Sequence, residues 1–150
     1  MKPTPKGWPR ISSAIYYRDP KKALEWLAAA FGFEVRLKVE APDGTIEHSE
    51  LVLGEGVIMV GDEAKGTRVP SRRWCKSPLS VDGANTQSMM VYVDDANGHC
   101  ERARNAGATI VAEPELHDYG DEYWADRGYE AVDFEGHHWY FYERVRGPKE

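Results

Sequence analysis

The sequence predicts an α+β fold in which one strand–helix–strand–strand–strand unit is used twice. Three observations carry this. An aspartate opens each of two helical segments and a glycine closes it: Asp19 to Gly32 spans thirteen positions, Asp95 to Gly107 twelve. Behind the first helix, apolar and polar residues alternate with the period of two that marks a strand. The chain closes on two aromatic, β-branched runs, 129–132 and 137–144, joined by Asp133-Phe134-Glu135-Gly136. Gly136 suits the positive φ of a tight turn.

In order, residues 10–17 are short, β-prone and bounded by Pro9. Asp19-Pro20 reads as an N-cap with proline at the first helical position. Ala23, Leu24, Leu27, Ala28 and Phe31 recur at helical spacing, and Gly32 stops the helix. Phe33, Val35, Leu37 and Val39 alternate with Glu34, Arg36, Lys38 and Glu40, predicting a half-buried strand. Pro42-Asp43-Gly44 is a turn, Ile46 to Leu53 a strand, Gly54-Glu55-Gly56 a second turn, and 57–60 a short apolar strand. Residues 65–86 lack periodicity and read as a linker or covering loop with Trp74 as its large anchor. The second half repeats the order: a strand over 88–93, a helix over 97–105 ended by Ala106-Gly107-Ala108, a strand from Thr109, a polar, aromatic-rich loop over 114–126, and the closing hairpin. Such self-similarity argues for duplication about a pseudo-twofold axis.

Composition bounds the function. A chain of 150 residues buries a real core as one domain. No apolar run approaches the roughly 20 residues of a membrane-spanning helix. Residues 1–7 have no apolar stretch behind their lysines, so a frayed lead-in is expected rather than a secretory signal. A net charge of −6 with scattered Arg and Lys argues against nucleic-acid binding. Cys75 and Cys100 lack a Cys-x-x-Cys spacing and fit free thiols in a reducing cytoplasm. Neither sits by a histidine, and no nucleophile constellation is visible. Gly54-Glu55-Gly56, without a following helix or lysine, is not a phosphate loop.

The Asp-x-x-Gly turn before an aromatic strand, the Ala-Gly-Ala helix end and the repeated order together resemble the vicinal oxygen chelate superfamily. That superfamily includes glyoxalase I, extradiol dioxygenases and bleomycin-resistance proteins. The resemblance covers 8–144. It implies two βαβββ modules, 8–64 and 87–146, joined by linker 65–86 into a single domain, 1–150. Their curled mixed sheet would surround a cavity, and homodimers are common. In the metal-dependent members, His, Glu or Gln ligands stand on the first and last strands of each module. The matching positions are Ser12, seven before Asp19; Ser88, seven before Asp95; Met59; and Tyr140, four beyond Gly136. Two hydroxyls, a thioether and a phenol are not a site for a divalent ion, which wants carboxylate or imidazole. A one-residue shift gives Ser13, Ile58, Met89 and Trp139, which is no better. The expectation is no metal and no cofactor.

The five histidines carry separate expectations. His137 and His138, adjacent on a strand, face opposite ways; His138 would share the cavity face with Tyr140 and Tyr142. His48 either lines the cavity or pairs with Glu47 or Glu50. His99 reads as surface, and His117 as locally bonded with Asp118. A metal set of His48, Glu50 and His138 stands as the alternative to none. The expected ligand-binding residues are Ser12, Tyr16, Met59, Ser88, Met90, Tyr92, Trp124, His138, Tyr140 and Tyr142. A pocket of tyrosines and methionines suits a flat organic molecule, unless these side chains fill it themselves. The expected function is a metal-free, bleomycin-resistance-like protein binding a small aromatic or oxygenated molecule as a cytoplasmic homodimer. A small-molecule lyase or isomerase of the glyoxalase type, with an atypical metal or none, is the alternative, and an interaction subunit with a filled cavity the third reading.

Overall fold

The computed structural model describes residues 1–149. They fall into two compact units, Met1–Asp82 and Gly83–Glu150.

The first unit holds β1 (Ser13–Tyr17), α1 (Pro20–Phe31), β2 (Glu34–Glu40), β3 (Ile46–Leu53) and β4 (Gly56–Asp62), with strand order β1-β4-β3-β2. β1 runs parallel to β4, and the other pairings are antiparallel. Asp19 caps α1, its carboxylate accepting from Lys22 N at 3.0 Å. Gly32 ends the helix at φ 81, a left-handed turn that lets its own N–H reach Ala28 O. Leu24, Leu27, Ala30 and Phe31 of α1 are buried, as are Ile15, Tyr17, Leu51, Ile58 and Val60 of the strands. This core lies on one face of the sheet.

The β3–β4 ladder is short. Backbone pairing covers only Leu51↔Ile58, Val52↔Val57 and Leu53↔Gly56. Beyond it a side chain takes over: the buried Ser49 hydroxyl donates to Val60 O at 2.8 Å and accepts from Val60 N at 3.1 Å.

Two expectations for this unit need correction. On β2 the alternating Val35, Leu37 and Val39 remain about two-fifths exposed (41%, 40% and 42%), because β2 is the edge strand of its sheet. In the linker, Trp74 is 75% exposed rather than a buried anchor, and the Arg73 guanidinium lies 4.2 Å from its ring. The linker is organised instead by three short 3-10 turns and by Glu63. That carboxylate accepts from Ser77 N and from Ser80 Oγ (2.6 Å), and Arg18 Nε donates to the same hydroxyl (2.9 Å).

The second unit repeats the topology. It holds β5 (Met89–Tyr92), α2 (Ala96–Asn105), β6 (Thr109–Asp118), β7 (Ala125–Val132) and β8 (His138–Arg146), in the order β5-β8-β7-β6 with β5 parallel to β8. The duplication read from the helix ends is thus a duplication of sheet order. Asp95 caps α2 through Gly98 N at 3.0 Å. Ala96, Cys100 and Ala103 pack under α2 against Tyr129, Trp139 and Phe141, whose rings stack within the core.

Here too the structure departs from expectation. Residues 114–118 continue β6 and Ala125 opens β7, so the loop shrinks to 119–124. His117 accordingly sits on β6, paired in register with Asp126. His99 is not a surface residue: its Nδ1 lies 2.6 Å from the Tyr129 hydroxyl and its ring lies 4.4 Å from Phe141. Gly136 has φ 99, and Asp133 organises the turn. Its Oδ1 accepts from the N–H groups of Glu135 and His137, and its Oδ2 from the Trp139 indole. His137 lies in the turn rather than on the strand.

Candidate functional site

Each unit leaves one sheet face without a helix, and the ten expected site residues are distributed over these two faces and their margins.

In the first unit, the parallel register pairs Ala14 with Met59 and Tyr16 with Gly61. These residues, with His48, Lys65 and Arg72, line a pocket of about 290 Å³. Glycine at 61 makes room for the Tyr16 ring, since a Cβ there would stand 2.7 Å from Tyr16 Cε1 and one of the two would have to shift. Burial, then a hydrogen bond with the Cys75 thiol, pushes the Tyr16 phenol above its ordinary range. His48 takes both roles foreseen for it: it lines the pocket and its Nε2 lies 2.9 Å from Glu50 Oε1. The hydrogen bond with His48, then that from Arg36, holds Glu50 below the usual carboxylate range. Ser12 lies just before β1, its hydroxyl oxygen buried with no hydrogen-bond partner among the described residues.

In the second unit, the register places Met90 beside Tyr140 and Tyr92 beside Tyr142. Across β7, Val132, Glu130, Gly128 and Asp126 pair with His138, Tyr140, Tyr142 and Arg144. Period-two geometry puts all these side chains on the open face. The result is an aromatic row. His138 meets Tyr140 edge to face at 4.6 Å, and Tyr140 stacks on Tyr142 at 6.3 Å and 17°. Tyr142 lies over Gly128, where a Cβ would collide with the ring. Burial raises the Tyr142 pKa, and so do the nearby Tyr119, Glu130, Tyr140 and Asp126.

The row ends in an ionic cluster. Asp126, nearly buried, accepts from Arg144 Nε and from the Tyr92 hydroxyl (3.2 Å), while Arg144 Nη2 donates to the same hydroxyl at 2.6 Å. The guanidinium lies 5.1 Å from the Trp124 ring and 5.4 Å from Tyr92, within cation–π range. At the other end, Ser88 Oγ lies 3.1 Å from His138 Nδ1, and His138 Nε2 lies 3.2 Å from Glu130 Oε2.

Sequence reading missed Asp126, Gly128, Glu130 and Arg144. A signal exists: 126, 128 and 130 alternate with the core positions 129 and 131, but the polar composition of 114–126 points to a loop. It also missed Ser88–His138–Glu130, whose members are scattered in sequence and meet only through strand order.

The metal positions can be tested against this chemistry. Met59 offers a thioether beside Ala14. Tyr140 offers a phenol beside Met90, and the Ser88 hydroxyl is engaged by His138. Such donors do not fit a divalent ion. Among the described residues, no three His, Cys, Asp or Glu side chains converge to hold one. Also among them, no helix is long and apolar enough to cross a membrane.

Comparison with known proteins places these faces in context. The family model described as "Glyoxalase/Bleomycin resistance protein/Dioxygenase superfamily" matches residues 10–141. An uncharacterized protein of Mycobacterium bovis is 31% identical over 140 residues, 92% of this chain and 85% of its own. Among solved structures, TioX from Micromonospora sp. ML1 is 32% identical with a TM-score of 0.67, over 90% of this chain and 98% of its own. TnmS3, an antibiotic binding protein from Streptomyces sp. CB03234, shares the fold at 14% identity and a TM-score of 0.62, over 89% and 93%.

Proposed function

Because the chain belongs to the Glyoxalase/Bleomycin resistance protein/Dioxygenase superfamily, we propose that it binds a small, flat aromatic or oxygenated organic molecule without a metal. The observation that carries this is the aromatic row on the open face of the second sheet. Met90 and Tyr92 are 54% and 48% exposed, yet their neighbours are ordered by stacking and ion pairing. Rings held in this way offer stacking area at little entropic cost, and the phenols and carboxylates along the row supply directional hydrogen bonds. The fold shared with the antibiotic binding protein TnmS3 agrees with this reading. The donors at the family's metal positions suit an organic ligand better than an ion.

In this reading Met90, Tyr92, Trp124, His138, Tyr140 and Tyr142 contact the ligand, with Ser88 at the margin. Ser12, Tyr16 and Met59 serve the same role on the first unit's face. Modules 8–64 and 87–146 with linker 65–86 make one domain. The exposed row Val35, Leu37 and Val39 suits burial in a cytoplasmic homodimer.

The test is a thermal-shift screen of planar aromatic compounds, antibiotics included, with and without EDTA. At a hundred times its Kd, a ligand adds about 2.7 kcal/mol, a rise of about 5–10 °C for a chain of this size. The rise should be unchanged by EDTA and lost in Tyr140→Ala/Tyr142→Ala. Stabilisation that requires a divalent ion, or none from any compound, overturns the reading.

A further inference from the structure

The hydrogen-bonded chain Ser88–His138–Glu130 has a polarity that its ends dictate. A carboxylate only accepts, so the imidazole proton shared with Glu130 Oε2 sits on Nε2 (3.2 Å). In the neutral imidazole Nδ1 is then bare and accepts from the Ser88 hydroxyl, 3.1 Å away. A hydroxyl donating to an imidazole that a carboxylate orients is the arrangement that makes serine a nucleophile, and it is recognised by roles rather than chain order. Here Nδ1 faces the serine and Nε2 the acid.

The imidazole is held from three sides. Asn85 Oδ1 accepts the His138 backbone N–H at 3.1 Å, and Asn85 Nδ2 donates to Gly136 O at 2.8 Å, which fixes the start of β8. The Tyr140 ring presses edge-on at 4.6 Å, and Glu130 closes the outer side. Ser88 itself is exposed at the foot of β5, so a small molecule can reach its Oγ. The aromatic row begins beside it, with Tyr140 paired to Met90. An aryl group laid on that row would bring an attached ester to the hydroxyl.

We propose that Ser88 is a catalytic nucleophile, His138 its general base and Glu130 a positioning residue, and that this end of the face cleaves small aryl esters. Ser88 Oγ attacks the carbonyl carbon as its proton passes to His138 Nδ1. The bond to the phenol oxygen breaks, and the phenol leaves with that proton. Water then gives a proton to Nδ1 and attacks the acyl carbon. The carboxylic acid departs as Nδ1 returns the proton to Ser88 Oγ.

The experiment treats the intact protein with an alkyl fluorophosphonate, which bonds phosphorus to an activated serine oxygen and expels fluoride. Intact mass and peptide mapping read the product. The expected result is a single adduct on Ser88, absent in Ser88→Ala and formed roughly a hundredfold more slowly in His138→Gln. Glu130→Ala should slow labelling and Glu130→Asp should restore it in part, which a merely structural role would not do. Ser88 is exposed, so its alanine variant keeps the fold and decides the matter even if His138→Gln unfolds. No adduct, an adduct on another residue, or full labelling of folded His138→Gln overturns the proposal. Labelling needs no aromatic ligand, so its failure leaves the binding reading standing.

Discussion

Asp133 holds the closing turn through three hydrogen bonds, to two backbone N–H groups and the Trp139 indole. Asp133→Ala removes all three in a buried setting and should cost about 2–4 kcal/mol in urea unfolding. An unchanged midpoint would show that water replaces the carboxylate. Gly128 acts by absence: a Cβ there overlaps the Tyr142 ring. Gly128→Ala should lower stability by about 1–3 kcal/mol and displace Tyr142, weakening any aromatic ligand more than Gly147→Ala, which meets open space. Calorimetric titration of the two variants separates the cases. At this scale the sequence was only partly readable. The turn-forming role of Asp133 and Gly136 follows from local chemistry. The packing of the half-buried His99 against Tyr129 and Phe141 does not, because its neighbours in sequence, Glu101 and Arg102, are exposed while helix geometry turns position 99 inward.

The two helices were readable in the sequence because capping is local. Asp19 and Asp95 both accept a backbone N–H three residues on, and an apolar stripe follows the first of them. Asp95→Ala should cost about 1 kcal/mol, with a matching drop in the denaturation midpoint; Asp95→Asn should keep most of it. Strands were harder. β3 came out over its expected span, since turns at both ends bound it. β6 and β7 ran well into the expected loop, because Pro114, Glu115, His117 and Asp118 are poor strand formers held there by cross-strand pairing with β7. That extension carries Asp126 onto the open face, where it fixes Arg144 and Tyr92. The missed site residues and the missed strand are one error: pairing partners distant in sequence decide both.

Across the molecule, three tyrosines share one property, for Tyr16, Tyr129 and Tyr142 all have pKa values raised above 10, mainly by burial. A raised folded pKa means the native state keeps its proton where the unfolded chain releases it. The stability this confers is present below about pH 10, the unfolded value, and is lost as pH rises beyond it. Urea midpoints from pH 8 to 11 should therefore fall above pH 10, and Tyr129→Phe, the most deeply buried of the three, should fall less steeply. Equal slopes would remove Tyr129 as a source. The duplicated topology was visible from the repeated element order and the spacing of the helix ends, whereas which face carried chemistry depended on register, and register follows from packing. In the first unit that register ends early. Past Leu51↔Ile58, the rung between β3 and β4 is the Ser49 hydroxyl rather than a second backbone amide. A hydroxyl can rotate away and back without moving either strand, so the Val60 amide can lose its partner by a side-chain motion alone. In deuterium exchange it should open faster than the ladder amides of 51–58, giving the pocket beside His48 and Gly61 a breathing motion of its own.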